Sequence, residues 1–153
     1  MSVVLRPVDR AAAQAVAAGR RPAGVEAASD YPTEFSVEVA EIALRAPSRP
    51  PSFIVADGIV VGEIGAHRVD DATMEVGYAI VRSRWGRGLA TAAVRALLDE
   101  LRDEGVERVV AHAPLDRPGS GRVLEKAGFR AGPERDEEHD GVTMRVRRWE
   151  LAL

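Results

Sequence analysis

The sequence predicts a mixed α/β fold, with a central, mostly antiparallel sheet of about seven strands and four flanking helices. Three observations predict it. β-branched runs and runs of helical period follow one another in the order β-α-α-β-β-β-α-β-α-β-β. Asp57-Gly58 and Asp140-Gly141 each separate two strand-like runs, which is typical of tight hairpins. The chain has 153 residues, 46% hydrophobic and 29% charged, so we expect a single domain over residues 1–153.

The first half of the chain predicts one strand, two helices and an irregular segment. Residues 3–8 have the alternation of a strand. Asp9 is placed to cap a helix over residues 10–19. Residues 21–35 have no period and contain two prolines, so we expect a loop there. Apolar residues recur at helical spacing over residues 34–46, which predicts the second helix.

The second half predicts the rest of the sheet and two further helices. A long helix ending at Gly105 has an apolar stripe of Ala90, Val94, Leu97 and Leu101, and a short helix covers residues 118–128. Strands are expected over residues 52–58, 59–69, 72–81 and 107–115, and in a last hairpin over 129–151. The acidic run at 134–140 has no ligand spacing and indicates a solvated hairpin arm, so we expect no metal site.

Composition excludes several classes of function. The absence of cysteine rules out disulfides, a thiol nucleophile and thiolate metal sites. A formal net charge of −3 is unlike that of most nucleic-acid-binding proteins. No run approaches the ~20 apolar residues that span a bilayer, and the first residues lack the apolar core of a signal peptide. We therefore expect a cytoplasmic protein, a monomer or a homodimer, that acts on neither nucleic acid nor membrane.

A glycine-rich turn between a strand and the long helix is the strongest local signal. Gly86 and Gly88 allow positive φ and let a ligand approach the backbone closely. The helix that follows offers unpaired N–H groups and the positive end of its dipole, which favours an anion such as phosphate. Arg84 and Arg87 add charge at the rim. The alternative is a tight strand-to-helix turn with no ligand.

Comparison with known phosphate-binding sequence fingerprints narrows the choice of phosphate-containing ligand. No GxxxxGK[ST] sequence occurs, which excludes a Walker loop. The stretch GRGLAT ends in threonine where the dinucleotide fingerprint needs glycine or alanine, and it follows three antiparallel strands rather than opening a βαβ unit. A Rossmann domain is therefore not predicted.

Two motifs in order carry a family resemblance. The segments VGYAIVRSRWGRGLATAAVRALLDEL and VERVVAHAPLDRPGSGRVLEKAGF resemble the core of the GNAT family of N-acetyltransferases, closest to its ribosomal-protein N-terminal acetyltransferase branch. The resemblance implies acetyl-CoA as the cosubstrate, direct acetyl transfer to a primary amine, and a cofactor slot opened by two splayed parallel strands. A catalytically degenerate acyl-CoA sensor and a resistance factor that acetylates a small toxic amine are the alternatives.

The resemblance also assigns cofactor-binding positions. The family pattern [QR]-x-x-G-x-[GA] falls on residues 83–88, with serine in place of the first residue. Backbone amides from Arg87 to Thr91 would hold the pyrophosphate, and the strand end would pair with the pantetheine arm. The implied set is Ala79, Ile80, Val81, Arg84, Gly86, Arg87, Gly88, Leu89, Ala90, Thr91 and Arg117.

The second family signature covers residues 117–129 and departs from the family at two positions. Arg117 replaces the usual asparagine, and Leu124 replaces the tyrosine that protonates the leaving thiolate in many members. In the resembling branch a serine takes that role, which Ser120 matches. The alternative for Ser120 is an N-cap or capping-box residue of its helix.

The sequence also offers candidates for the general base and for the acceptor-binding residues. Direct transfer needs a neutral amine, and Glu75 lies on the strand where the family often carries its base; His67 and His112 are possible substitutes. The alternative for Glu75 is an exposed strand residue or an ion-pair partner. The segments expected to frame the acceptor amine carry several carboxylates, which predict a cationic amine as the substrate. They are Asp30, Glu34, Glu63, Glu75, Asp70 and Asp71, with His112 as a further substrate-binding residue.

Overall fold

The computed structural model describes residues 2–153 and confirms the mixed α/β fold, with eight strands and four α-helices. The strand order is β1-β3-β4-β5-β6-β8-β7, with β2 paired to β4. The strands are β1 Val3–Pro7, β2 Glu26–Ala27, β3 Ser52–Ala56, β4 Ile59–Arg68, β5 Thr73–Ile80, β6 Arg108–Pro114, β7 Arg130–His139 and β8 Val142–Ala152. The helices are α1 Arg10–Ala17, α2 Glu34–Leu44, α3 Leu89–Asp103 and α4 Pro118–Lys126, with a 3₁₀ turn at Arg82–Arg84.

The chain divides into two compact units, and the predicted single domain stays a prediction. The first unit comprises Met1–Ala66 and Tyr78–Leu97, and the second comprises His67–Gly77 and Leu98–Leu153. Within residues 2–153, no helix has both the length and the apolar character needed to cross a membrane.

The first unit builds α1 and α2 against an antiparallel group of strands. Asp9 caps α1 as predicted, since its carboxylate accepts the amide N–H of Ala12 at 2.8 Å. β1 pairs antiparallel with β3, and β3 pairs antiparallel with β4 across the Asp57-Gly58 turn. Both turn residues have positive φ, as a two-residue type I′ turn requires. The core of this unit includes Val16, Phe53, Ile54, Val60, Val61, Ile64 and Val94.

The predicted loop over residues 21–35 contains the one strand that the sequence did not predict. β2 pairs in parallel with β4, and the amide of Ala28 donates to the Val60 carbonyl at 3.0 Å. The Arg21 guanidinium donates to the Ala28 carbonyl at 3.0 Å and to the Tyr31 carbonyl at 3.3 Å. Two residues are too few to show any periodicity, so this strand depends on tertiary contacts rather than on a local pattern.

The second unit places β6 between a parallel and an antiparallel neighbour. β6 pairs in parallel with β5 over Thr73–Glu75 and Arg108–Val110, and antiparallel with β8 along its whole length. β7 and β8 form the predicted hairpin around Asp140-Gly141, which again has positive φ at both residues. α4 packs on β6 and β7. The core of the second unit includes Leu98, Leu101, Val109, Leu124, Phe129, Val146 and Trp149.

Candidate functional site

The turn before α3 has the geometry of an anion-binding site. Gly86 and Gly88 have φ values of +76° and +75°, in the region that favours glycine. The Gly88 carbonyl accepts the amide of Ala92 at 3.1 Å, so the helix begins directly after Gly88. The first amides of a helix have no intrahelical acceptor. Among residues 2–153, the amides of Arg87 and Gly88 also have no acceptor.

The space in front of this turn is open. A Cβ atom built on Gly86 or on Gly88 would meet no other atom within 4 Å. Close packing within the protein therefore does not require glycine at either position. The two glycines instead leave open space beside the unpaired amides. Arg87 is exposed and Arg84 is half-buried at the same turn. Free amides, a helix dipole and two cationic side chains fit a pyrophosphate group.

The strand end before this turn is partly engaged within the protein. The amide of Val81 donates to the Val61 carbonyl at 2.8 Å, and the Val81 carbonyl accepts the Arg84 amide at 3.0 Å. Val81 therefore has no free amide for a pantetheine arm, contrary to expectation. The Ile80 carbonyl accepts the exposed indole N–H of Trp85 at 2.7 Å. The predicted backbone pairing with the pantetheine arm therefore depends on Ala79 and on Ile80, whose carbonyl already accepts the Trp85 indole.

Asp30 contacts the turn that the sequence separates from it by 53 positions. Its carboxylate accepts the Ser83 hydroxyl at 2.6 Å and the Ser83 amide at 3.0 Å. The hydrogen bond from the Ser83 hydroxyl lowers the pKa of Asp30 most, and the hydrogen bond from the Ser83 amide lowers it further. Ser83 is the position where the family pattern has glutamine or arginine. The structure therefore gives Asp30 a positioning contact to the turn, where the sequence predicted a substrate contact.

Glu63 does not belong to an exposed acidic rim, and that prediction is wrong. It is only 2% exposed, near the hydroxyls of Tyr31 and Ser36. Neither Glu63 Oε1 nor the Tyr31 hydroxyl has a well-formed hydrogen bond within the described part of the chain. Burial raises the pKa of the Glu63 carboxyl, because the charged form is poorly solvated there. Apolar neighbours on both sides along β4 made this position resemble an outward-facing polar residue.

Replacing Glu63 by glutamine should remove a pH-dependent loss of stability. The raised pKa means that the folded protein retains a proton that the unfolded chain releases. This contribution is fully present below the unfolded pKa and is lost as pH rises through the folded pKa. The loss amounts to at most about 1.4 kcal/mol per pH unit, and an amide, which cannot ionise, avoids it.

Urea unfolding of wild type and Glu63→Gln at pH 5, 7 and 9 measures this effect. We expect the two midpoints to diverge in favour of the variant as the pH rises. Glu41→Gln, an exposed position on α2, is the matched control and should follow the wild type. Parallel curves for wild type and Glu63→Gln would show that Glu63 is ionised in both states.

Glu75 lies in a pair with His112 in the second unit. His112 Nδ1 is 2.7 Å from Glu75 Oε1, and His67 Nε2 is 3.5 Å from Glu75 Oε2. The Glu75 side chain is 29% exposed and that of His112 is 13% exposed. His112 Nε2 is buried and has no partner among residues 2–153. The tautomer with hydrogen on Nδ1 gives Glu75 a donor and leaves no buried N–H unpaired, so we assign it.

The ladder between β5 and β6 stops at this pair. Its last matched residues are Glu75 and Val110, whereas β6 continues to Pro114 in its pairing with β8. His112 therefore lies two residues beyond the end of the parallel ladder. The family resemblance implied two strands that separate, and the sequence placed Glu75 and His112 on them, but neither predicted their hydrogen bond.

Helix α4 settles one alternative for Ser120. The N-cap is Arg117, whose side chain makes no capping hydrogen bond, and Ser120 lies in the first turn after Pro118. Ser120 is therefore not the N-cap but N3, the capping-box position, so the capping-box alternative stays open. Leu124 is 1% exposed, so the position of the missing tyrosine belongs to the core. Arg117 is exposed. No element tests the predicted role of Ser120 as a proton donor.

The other predicted acceptor-side carboxylates lie at the surface. Glu34 is the first residue of α2 and is exposed. Asp70 accepts the Ala72 amide at 2.9 Å in the β4–β5 turn, and this hydrogen bond lowers its pKa. Asp71 is exposed in the same turn. Among the described residues, no group of three or more His, Asp or Glu side chains is arranged to hold a metal ion.

Comparison with known proteins identifies one family and several structures. The family model described as an acetyltransferase (GNAT) domain matches residues 2–130. Comparison with curated protein sequences finds no match. Similar structures include the microcin C7 self-immunity acetyltransferase MccE in complex with acetyl-CoA and AMP, 17% identical with a TM-score of 0.75 over 99% of this chain and 93% of that one.

Two further structures have the same fold. RimL, a ribosomal L7/L12 α-N-protein acetyltransferase in complex with coenzyme A, is 17% identical, with a TM-score of 0.75 over 100% of this chain and 95% of that one. A mutant form of the spermidine/spermine N-acetyltransferase SpeG from Vibrio cholerae is 14% identical, with a TM-score of 0.73 over 99% and 95%. At these identities the likeness establishes the fold.

Proposed function

Because this chain belongs to the GNAT acetyltransferase family, whose donor is acetyl-CoA, we propose that it transfers an acetyl group directly to a cationic primary amine. The observation that supports the proposal most strongly is the turn before α3. There, unpaired amides beside Gly88 face open space at the positive end of a helix. When bound, acetyl-CoA supplies the acetyl thioester.

The turn and the first residues of α3 would bind the diphosphate. The amides from Arg87 to Thr91 donate hydrogen bonds, while Arg84 and Arg87 add positive charge. Asp30 acts from outside the binding surface, since its carboxylate fixes Ser83 at the start of the turn. Ala79 and Ile80 remain the proposed positions for backbone contact with the pantetheine arm.

Glu75 is the proposed general base. An ammonium ion has no lone pair, so a base must take a proton from the acceptor before or during attack on the thioester. His112 donates its Nδ1–H to Oε1 and so fixes the orientation of the carboxylate. The proton of the amine then passes to the other carboxylate oxygen, Oε2, from which His67 Nε2 is 3.5 Å away. His112 is thus a positioning residue for Glu75.

Ser120 is the proposed donor of a proton to the departing thiolate. The thiolate becomes a thiol, the acetyl group becomes an amide on the acceptor, and the second proton that the amine loses restores the Ser120 hydroxyl, so no acyl-enzyme is required. Leu124 has no ionisable group and is buried in the core, which leaves Ser120 as the residue of this helix that matches the family role.

The acceptor is proposed to be a peptide N-terminus with basic neighbours, a polyamine or an aminoglycoside. RimL acts on a ribosomal protein N-terminus and SpeG on spermidine and spermine, so both kinds of amine are substrates on this fold. Glu34 and Asp71 are exposed carboxylates that would attract a cation. A screen of acetyl-CoA turnover over N-terminal peptides, polyamines, aminoglycosides and amino acids, which measures thiol release, tests the proposal.

Charge reversal at Glu34 should weaken acceptor binding. We expect Glu34→Lys to raise the KM for the best amine about 3- to 10-fold with little change in kcat, because the charge acts in binding alone. The wild-type KM should also rise with salt, since exposed charges are screened over ~8 Å at physiological ionic strength. Glu41→Lys on the same helix is the control. An equal KM effect in both variants would point to net charge rather than to a contact of Glu34.

A further inference from the structure

The second unit contains a pocket that shares only Arg117 with the cofactor-binding set implied by the family resemblance. It lies between the end of β6, helix α4 and strand β8, and has a volume of about 290 Å³. Small-molecule sites begin at about 300 Å³, so this pocket suits a ligand of roughly ten non-hydrogen atoms. Residues 118, 121, 122 and 125 of α4 line it along one stripe of the helix, together with the N-cap residue Arg117. Ser120 and Leu124 belong to a different stripe.

The polar side of the pocket is cationic. Arg117, Arg122 and Arg147 line it, against a single carboxylate from Glu125. Arg147 is held in place, because it donates to the Gly132 carbonyl at 2.8 Å and to Glu134 at 3.1 Å. Within residues 2–153, the guanidinium groups of Arg117 and Arg122 have no hydrogen-bond or ion-pair partner, although the backbone of Arg117 is hydrogen-bonded. Two guanidinium groups are therefore available to an anion.

A buried donor in the same wall lacks an acceptor. Trp149 is 8% exposed and lines the pocket, and its indole N–H has no hydrogen-bond partner among the described residues. A buried donor left unpaired is unfavourable. Gly121 lets the indole ring approach α4 closely, since a Cβ there would lie 3.1 Å from the ring. The indole face, with Ala113, Pro114 and Leu115, gives the pocket an apolar side.

We propose that this pocket binds a small monocarboxylate with an apolar body, such as an aryl or branched aliphatic acid. The carboxylate accepts hydrogen bonds from Arg122 and Arg117, while the apolar body covers the exposed part of the indole. Glu125 disfavours a dianion such as phosphate, because it adds repulsion for each further negative charge. The proposal is independent of acetyl transfer.

Titration with phenylacetate tests the proposal, by calorimetry and by the two tryptophan indole N–H resonances in a ¹⁵N spectrum. Phenylacetate has ten non-hydrogen atoms, so a dissociation constant on the order of 1 mM is expected. The Trp149 resonance should shift and that of the exposed Trp85 should not, with assignment by Trp85→Phe. Inorganic phosphate and 2-phenylethanol, which lack the apolar body and the charge respectively, should bind at least ~10-fold more weakly.

Arg122→Glu removes an exposed guanidinium and should weaken phenylacetate binding by ~10-fold or more. Arg130→Glu makes the same charge change at an exposed position outside the pocket and should bind as the wild type does. Phosphate binding as tightly as phenylacetate, an unmoved Trp149 resonance at saturation, or equal affinity of Arg122→Glu and wild type would each overturn the proposal.

Discussion

Gly88→Val is expected to weaken coenzyme A binding by ~10² -fold or more while the protein still folds. A hydrogen bond to a charged group contributes about 1.5–3 kcal/mol, so the loss of two amide contacts to the pyrophosphate gives an effect of that size. The valine side chain would occupy the open space beside the first amides of α3, which is where the pyrophosphate must approach. A Cβ at this position would meet no atom within 4 Å beyond the chain neighbours, so apart from the backbone strain the added side chain obstructs the ligand.

The variant also carries a backbone cost that must be separated from binding. Gly88 has φ of +75°, and a β-branched residue there is strained by about 1–3 kcal/mol. Gly58→Val is the matched control, because Gly58 has φ of +82° and equally open surroundings, but lies in the β3–β4 turn. Calorimetric titration with coenzyme A should show a loss for Gly88→Val and none for Gly58→Val. Unchanged affinity in a folded Gly88→Val protein would place the cofactor elsewhere.

Local signals predicted most of the fold because each of them acts over a few residues. The Asp9 cap, the two Asp-Gly turns and the apolar stripe of α3 are set by hydrogen bonds and periodicities within one element. The glycine turn before α3 was predictable for the same reason, because Gly86 and Gly88 adopt positive φ just before the helix; its contact with Asp30 was not.

Contacts between segments distant in sequence could not be predicted from local sequence patterns. Asp30 binds Ser83 across 53 positions, and His112 binds Glu75 across 37. Both depend on which strands become neighbours, which alternation along one strand does not specify. The burial of Glu63 was missed because hydrophobic patterning assigns a carboxylate to the solvent side, whereas tertiary packing covered it with Tyr31 and Ser36. The Trp149 pocket has no sequence signal, since its lining comes from three separate elements.

Glu75→Gln is expected to lower kcat by ~10²-fold or more at neutral pH, the usual scale for one acid–base group. Glutamine keeps the size of the side chain and an oxygen for the His112 N–H, but it accepts no proton from the amine. The loss should shrink at high pH, where more of the acceptor is already neutral. Steady-state rates between pH 6 and 10 measure it, with Glu138→Gln, an exposed residue of the same unit, as the control. Wild-type activity of Glu75→Gln at neutral pH would exclude Glu75 as the base.

Two substitutions at His112 then separate a positioning role from a catalytic one. In His112→Asn the amide nitrogen takes the place of Nδ1, so a donor to Glu75 Oε1 remains while Nε2 is lost. His112→Leu loses both. If His112 positions Glu75, His112→Asn should keep most of the wild-type kcat and His112→Leu should lose ~10-fold, the value of roughly one hydrogen bond. If Nε2 were the proton acceptor instead, both variants would lose as much as Glu75→Gln, and the pH dependence of all three would coincide. Near-wild-type rates in His112→Asn therefore require that the proton goes to the carboxylate.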